Sequence, residues 1–260
     1  MRNGYVDVRD GQLHYWTAGQ GPALICLHQA SQNSREYVSL IPYLAQRRTI
    51  LAFDLPGHGQ SFDPPHEYAV PDFTAALIEA LDALNVRQCA VLGHHTGGVL
   101  AMELAAALPG RVTRIIASGV SYRTAEETAQ LNAERAERSF GVDREGHFLT
   151  KMWKVYAGLA GHGTPIETMV EPYLVNQAMR LRPFDAHHAV LSWNKTPTLG
   201  RLACPTLILQ GELDDFVKGQ DKLMAMMPTA RRQEIPGVGA FPFRDRPEEV
   251  AQMIDRFLSE

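Results

Sequence analysis

The sequence predicts an α/β fold in which a mostly parallel sheet is flanked by helices. Short apolar runs alternate with longer segments of helical periodicity, and this alternation is typical of parallel strands joined by covering helices. The alternation is interrupted from residue 122 to about residue 198, where only helical segments follow one another, and then resumes. We therefore predict a core of residues 1–121 and 199–260, with residues 122–198 inserted as a helical cap.

The elements of the core follow from apolar runs, periodicity and turn residues. Strands are predicted over residues 5–8, 13–17, 23–27, 49–53, 90–92, 112–118, 206–209 and 231–235. The first two flank Asp10 and Gly11, which predicts a hairpin. Helices are predicted over residues 35–46, 73–84, 96–108, 218–227 and 247–258. In the last helix one face is apolar and should pack on the sheet: it carries Val250, Met253, Ile254 and Phe257.

Aromatic side chains are distributed through the predicted cap. Such a set either packs against the core or forms a wall for a bound substrate, and the sequence leaves both interpretations open. The residues concerned are Trp153, Tyr156, Phe184 and Trp193.

Composition excludes several classes of partner. The formal charge is −4 and no block of Lys or Arg is present, so a nucleic-acid or anionic-membrane surface is not indicated. No apolar run reaches the roughly 18 residues of a membrane span. The cysteines show no metal spacing and are typical of reduced core residues. We expect a cytoplasmic protein, monomeric or homodimeric, that acts on a small molecule without a cofactor.

The segment Gly93-His94-His95-Thr96-Gly97 lies between an apolar strand and a helix. Its pattern is G-x-nucleophile-x-G, in which a sharp strand-to-helix turn projects the central residue and the glycines let the backbones pass closely. The central residue is ordinarily a serine, whose hydroxyl is the nucleophile. Here it is His95.

Several motifs in this order resemble the α/β-hydrolase family over essentially the whole chain. They are the His28 loop, the segment 54–61, the turn at 93–97, the helical cap, the segment 210–214 and the loop 237–242. The resemblance implies a sheet of about eight strands with the active site between core and cap. It also implies that Asp214 is the acid of the catalytic triad, although the adjacent Asp215 is an alternative.

The sequence departs from the family at three positions. His95 replaces the nucleophile, Ala240 stands where the catalytic histidine is expected, and Gln29 follows His28 where the oxyanion loop usually has glycine. The resemblance still implies an oxyanion hole formed by the Thr96 amide and a loop amide near Gln29, because a backbone amide does not depend on residue type. We expect His28 to orient this loop or to contact ligand, and His94 to pack in the core.

The chemistry of an imidazole makes His95 a candidate base or nucleophile, because it titrates near neutrality. Ala240 leaves room beside it, and we expect a water molecule to bridge His95 and Asp214. The histidines His28, His94 and His95 lack the spacing of a recognised metal site, and we predict no metal.

These observations predict an enzyme acting on a carbonyl compound by ester, lactone or C–C bond hydrolysis. A cofactor-independent lyase or isomerase that uses His95 as a base fits equally well, and an inactive ligand-binding protein on the same scaffold is a further alternative.

Overall fold

The computed structural model describes residues 1–137, 141–179, 182 and 186–260. Eight strands form one sheet in the order β1-β2-β4-β3-β5-β6-β7-β8. The pairs β1–β2 and β2–β4 are antiparallel and the remaining pairs are parallel, which confirms the predicted mostly parallel sheet. The strands are β1 (Arg2–Val8), β2 (Gly11–Ala18), β3 (Ala23–Leu27), β4 (Thr49–Phe53), β5 (Cys89–His94), β6 (Val112–Ser118), β7 (Thr206–Gly211) and β8 (Arg231–Ile235).

Helices cover both faces of this sheet. The α-helices of the described residues are α1 (Ile41–Leu44), α2 (Val70–Ala83), α3 (Thr96–Ala107), α4 (Ala125–Glu137), α5 (His147–Gly158), α6 (Val170–Met179), α7 (Ala186–Leu191), α8 (Thr196–Leu199), α9 (Gln220–Met226), α10 (Pro242–Asp245) and α11 (Pro247–Leu258). Short 3₁₀ segments occupy Ser34–Tyr37, Ile166–Met169 and Asp215–Val217. The predicted apolar face of α11 is buried.

The predicted helix over residues 35–46 is wrong as one continuous element. A 3₁₀ segment, Ser34–Tyr37, and the short helix α1 take its place. Pro42 lies in the first turn of α1, and a proline inside a longer helix would lack an amide donor and clash with the preceding turn. The division has a functional consequence, because it directs Glu36 inward to a buried position.

The buried apolar residues of the sheet belong to two clusters, one on each of its faces. Along β3, Leu24 and Cys26 belong to one cluster, whereas Ile25 and Leu27 belong to the other. This alternation is the period-two pattern of a strand covered on both faces. The central strands are thereby held rigidly, and their carboxyl ends become a fixed platform for the loops that follow β3, β5, β6 and β7.

Between β6 and β7 the described residues form helices and contain no strand. Two buried contacts join this segment to the loop after β3, because Gln32 Nε2 donates to the Tyr156 hydroxyl at 3.1 Å and to the Pro172 carbonyl at 2.8 Å. Glu171 adds ion pairs with Arg35 and Arg244. No helix within the described ranges is long and apolar enough to cross a membrane.

Candidate active site

The turn between β5 and α3 holds His95 in a conformation that non-glycine residues rarely adopt, with φ 45° and ψ −107°. The His95 amide donates to the Ser118 carbonyl at 2.8 Å. Two glycines are required by close backbone approach: a Cβ on Gly93 would lie 2.1 Å from the Gly97 carbonyl oxygen, and one on Gly97 would lie 1.9 Å from the Leu27 carbonyl oxygen. The predicted strained turn with His95 at its tip is therefore present.

Asp214 contacts His95 directly. His95 Nε2 lies 2.7 Å from Asp214 Oδ2. The prediction that a water molecule bridges the two side chains was therefore wrong. Asp214 lies in the turn after β7, which ends at Gly211, and its carboxylate is fixed in place because Oδ1 accepts the Phe216 amide at 3.0 Å. Burial opposes ionisation of Asp214, but the charge and hydrogen bond of His95 outweigh it and hold the pKa of this carboxyl below its ordinary value.

Gly119 makes room for the His95–Asp214 pair. It follows β6 with φ +63°, and a Cβ at this position would lie 2.2 Å from His95 Cδ2 and 3.0 Å from Asp214 Oδ2. Any side chain here would therefore displace the imidazole from the carboxylate. Phe216 covers the ring from another direction, stacked with a centroid separation of 4.4 Å. The His95 side chain retains 11% of its accessible surface.

The second nitrogen of His95 faces Gln29. His95 Nδ1 lies 3.1 Å from Gln29 Oε1. The orientation of this amide follows from its other end, where Gln29 Nε2 donates to Glu36 Oε1 at 2.8 Å. A flipped amide would place its oxygen against the Glu36 carboxylate, which would be repulsive. Glu36 therefore decides which atom Gln29 presents to His95.

Glu36 is buried and ionised. It accepts the Gln29 backbone amide at 3.0 Å and His94 Nδ1 at 2.5 Å. Burial alone would raise its pKa, but the His94 charge and these hydrogen bonds lower it to about 2. His94 itself is fully buried, as expected for a core position.

The protonation of His95 follows from these partners. Burial, together with the neighbouring His94, lowers the pKa of His95 below its ordinary value despite the Asp214 charge, so the neutral imidazole dominates at neutral pH. Because an ionised carboxylate can only accept, the single proton lies on Nε2 and is donated to Asp214. The lone pair of Nδ1 then faces the Gln29 side-chain oxygen, and protonation of Nδ1 would turn this unfavourable contact into a hydrogen bond.

His28 does not reach the site with its side chain. Its Nε2 accepts the Leu55 amide at 3.0 Å, so the proton lies on Nδ1, which donates to the Gln29 carbonyl at 2.7 Å. Burial and the neighbouring His58 lower the pKa of His28 to about 4. Of the two expectations for His28, the geometry fits orientation of the loop and not contact with ligand.

The two expected oxyanion donors differ in availability. Thr96 is the first residue of α3, where an amide has no acceptor within the helix. The Gln29 amide is occupied by Glu36. The next amide along the loop, that of Ala30, has no acceptor among the described residues. The Ala30 amide, one position later than Gln29, is therefore the candidate donor on this loop.

The predicted aromatic residues fall into different surroundings. Trp193 packs against the core cluster that contains Ile25 and Leu27, and it donates its indole N–H to Glu103. It therefore joins α3 to the helical segment between β6 and β7. Trp153 and the buried Tyr156 pack with Tyr173. Phe184 lies outside the described residues.

Ala240 belongs to the same cluster as Tyr156, together with Met169, Tyr173 and Phe241. Its amide donates to the Leu159 carbonyl at 3.1 Å. The space that the sequence left beside Ala240 is therefore filled by residues of the inserted segment, and the expectation of room there was wrong.

A metal would have to compete with established hydrogen bonds. His94, His95 and Asp214 place one possible ligand atom each within 4.8 Å of one another. However, the His94 and His95 nitrogens that face carboxylates carry protons for Glu36 and Asp214. The absence of a metal stays a prediction.

Sequence reasoning missed three residues that shape this site. Gly119 and Phe216 lie in loops after β6 and β7, and Glu36 lies after β3. A signal was present for two of them, because residues that follow parallel strands meet at one edge of the sheet. Nothing local marked Glu36, since it was placed within the predicted helix over residues 35–46.

Comparisons with known proteins agree with this architecture. An uncharacterised protein of Mycobacterium tuberculosis is 26% identical over 275 residues, covering 93% of this chain and 76% of that protein. The pimeloyl-(acyl-carrier protein) methyl ester esterase of Xanthomonas campestris is 25% identical, covering 95% of this chain and 99% of the esterase. The enol-lactonase of Burkholderia xenovorans superposes with a TM-score of 0.80 at 18% identity, covering 99% of this chain and all of the lactonase, which is a likeness of fold.

The family assignment rests on a match that covers most of the chain and not on a single motif. The sequence profile of the alpha/beta hydrolase family matches residues 24–253. This range includes β3 except its first residue, the strands β4 to β8, the turn at His95 and the segment between β6 and β7. This chain is a member of the alpha/beta hydrolase family.

Proposed function

We propose that this protein is a hydrolase acting on a small carbonyl compound, an ester, a lactone or a C–C bond, with His95 as general base. The observation that carries the proposal is the pairing of His95 Nε2 with Asp214 at 2.7 Å on a strained turn. Strain of about 1–3 kcal/mol is maintained at functional sites when the surroundings over-determine it. Here Asp214, Gln29 and Gly119 fix the ring from different sides.

In this scheme neutral His95 takes a proton from water at Nδ1 while Asp214 holds the proton on Nε2. The resulting hydroxide attacks the substrate carbonyl, and the amides of Thr96 and Ala30 stabilise the oxyanion. The imidazolium is then hydrogen-bonded at both nitrogens, to Asp214 and to Gln29 Oε1, before it returns the proton to the leaving group. No cofactor enters these steps.

Both ring nitrogens of His95 already have a partner, and this favours a role for His95 as a base over a role as a nucleophile. Gln29 Oε1 lies 3.1 Å from Nδ1 and Asp214 Oδ2 lies 2.7 Å from Nε2. An acyl group on either nitrogen would displace one of these partners for the lifetime of the intermediate, whereas a water molecule that gives its proton to Nδ1 displaces Gln29 Oε1 only until the proton is transferred. We assign residues 122–198 the role of a cap that closes over this site and sets the choice of substrate.

A lyase or isomerase that abstracts a proton from carbon is the second candidate. It is supported by the Gln29 oxygen, which offers an acceptor for a proton stored on Nδ1. The two reactions differ in what water contributes: hydrolysis incorporates its oxygen, and reversible proton abstraction exchanges its hydrogen.

The test is a panel of activated esters, lactones and β-diketones, assayed in H₂¹⁸O and in D₂O with wild type and His95→Ala. The control is His66→Ala, because His66 is exposed. We expect ¹⁸O in the product and a loss of about 10²–10⁴-fold in kcat/KM for His95→Ala only. Deuterium exchange without ¹⁸O would select the lyase or isomerase. Unchanged turnover in His95→Ala would exclude His95 as the base, and binding without any turnover would select the ligand-binding alternative.

The pH dependence of kcat/KM provides a second check. Because the pKa of His95 is lowered, the base should be fully available at neutral pH, and kcat/KM should fall as the pH drops through that lowered pKa. We expect the inflection below the ordinary value of about 6.5 for histidine. Asp214→Asn removes a charge that raises the His95 pKa, so its inflection should move to still lower pH. A shift to higher pH would contradict the assignment of Asp214 as the partner.

A further inference from the structure

Two cationic residues, Arg123 and Lys195, lie near the points where the segment between β6 and β7 leaves the sheet and returns to it, and their charges interact. Tyr122 and Thr196 are hydrogen-bonded through their hydroxyl groups at 3.0 Å. Arg123 follows Tyr122 in the chain and Lys195 precedes Thr196. This bond therefore brings the neighbourhood of Arg123 to that of Lys195, although the two lie far apart in sequence.

Arg123 is close to the proposed base. Its guanidinium carbon lies 4.9 Å above the centroid of the Phe216 ring. The same ring stacks on His95 at 4.4 Å. The distance from the guanidinium carbon to the centre of the His95 ring therefore cannot exceed the sum of these two separations. Phe216 holds the flat guanidinium by a cation–π contact that uses none of its five N–H donors.

Carboxylates lie near both cations in the described part of the chain, but none of them forms an ion pair with either one: Glu127, Asp214 and Asp215 act on Arg123, and Glu103 acts on Lys195. Arg123 and Lys195 form no ion pair within 4.0 Å and no side-chain hydrogen bond with any described residue. Asp215 is exposed to solvent. The other carboxylates around them already accept hydrogen bonds from other residues: Glu127 from Lys222, Glu103 from Trp193, and Asp214 from His95.

Their electrostatics agree with this geometry. Burial lowers the pKa of Arg123 and of Lys195 and outweighs the nearby carboxylates, which raise both values; the charge of Arg123 lowers the pKa of Lys195 further. Two partly buried cations that repel each other would gain from an anion placed between them. A carboxylate matches the planar fork of a guanidinium, which binds both oxygens, and an ammonium can add a third hydrogen bond.

We propose that Arg123 and Lys195 bind a carboxylate of the substrate and so direct its carbonyl group to His95. This inference rests on the proposed function for the identity of the reacting group, but the anion site itself does not require turnover. The substrate class is then a carbonyl compound with a carboxylate a few bonds from the reacting carbon. Arg123 and Lys195 are specificity residues in this scheme, and they take no part in proton transfer.

The first experiment compares two p-nitrophenyl esters, the butyrate and the glutarate monoester, which differ mainly by a terminal carboxylate. The variants are Arg123→Gln and Lys195→Gln, and the matched control is Arg87→Gln, because Arg87 is exposed and precedes β5 at the opposite end of the strand. We expect Arg123→Gln to lower kcat/KM for the glutarate ester about tenfold or more, with a smaller loss for Lys195→Gln. The butyrate ester should be unaffected by either variant. Equal losses on both esters would show that Arg123 only maintains structure and would overturn the proposal.

The second experiment measures binding without chemistry. The NMR signals of the Phe216 ring are followed during titration with glutarate and with uncharged glutaramide. We expect saturable shifts with glutarate alone, at a half-saturating concentration that rises about tenfold or more in Arg123→Gln and not in Arg87→Gln. Absence of shifts in wild type would overturn the anion site, as would stronger binding of inorganic phosphate than of glutarate. Failure of every ester in the first experiment, with this binding intact, would overturn only the proposed function.

Discussion

Two loops at the same edge of the sheet differ in the polarity of their surroundings. The loop around His95 is polar: its imidazole pairs with Asp214 and faces the side chain of Gln29. The loop around Ala240 is apolar: Ala240 is buried with Tyr156 and Phe241, and its amide is held by the Leu159 carbonyl. The resemblance to the family implied a catalytic side chain at both positions.

The difference shows that the two positions are built in different ways. At position 95 the glycines, the positive φ and the carboxylate partner surround an imidazole. At position 240 apolar neighbours surround the alanine. A site that had simply decayed would be expected to relax its strained turn, because that strain costs about 1–3 kcal/mol.

The largest effect should come from closing the space that His95 occupies. Gly119→Ala would place a Cβ 2.2 Å from His95 Cδ2, so the ring must leave Asp214 or the backbone must move. We expect a loss of about 3 kcal/mol or more in the free energy of unfolding, from strain at positive φ together with the buried charge of Asp214 left unpaired. Urea denaturation measures the stability, and the assays of His95 measure the accompanying loss of activity.

The control for this change is Gly110→Ala. Gly110 also has a positive φ, +82°, but a Cβ there would meet nothing within 4 Å. Gly110→Ala should lower the free energy of unfolding only by the conformational strain, roughly 1–2 kcal/mol, and should leave activity intact. Equal effects at the two positions would mean that the contact with His95 contributes nothing.

A smaller effect is expected at the second loop. Ala240→His would insert an imidazole into the cluster of Tyr156 and Phe241, and overpacking of this kind typically costs 1–3 kcal/mol. The double change His95→Ser with Ala240→His should therefore yield a destabilised protein with no more ester hydrolysis than either single change. Efficient hydrolysis by a stable double variant would show that the packing around position 240 readily admits an imidazole. The proposed difference between the two loops would then be wrong.

The smallest effect isolates the backbone strain of the turn. His95→Gly and His95→Ala both remove the imidazole, but only glycine tolerates φ 45° without steric cost. We expect the glycine variant to be more stable to urea than the alanine variant by roughly 1 kcal/mol. If the alanine variant proved equally stable or more stable, the turn would not be strained, and retention of strain could not be used to argue for function.

The sequence by itself determined the sheet and the position of the strained turn. The bounds of β3, β4, β6 and α11 follow from apolar residues and turn residues that need no distant partner. The positive φ of His95 follows from the spacing of glycines around it. Asp214 followed from the resemblance to the α/β-hydrolase family, which implies an acid beyond this strand at the carboxyl edge of the sheet.

Only the tertiary structure decided what surrounds these residues. Glu36 lies 58 residues from His94 in sequence, and its inward direction depends on the break before α1, where Pro42 prevents one long helix. The direct contact between His95 and Asp214 depends on Gly119, which no local rule connects to either residue. The space beside Ala240 is filled by Tyr156 from the inserted segment. Each of these is a contact between chain segments far apart in sequence, and local periodicity carries no information about how closely two such segments approach.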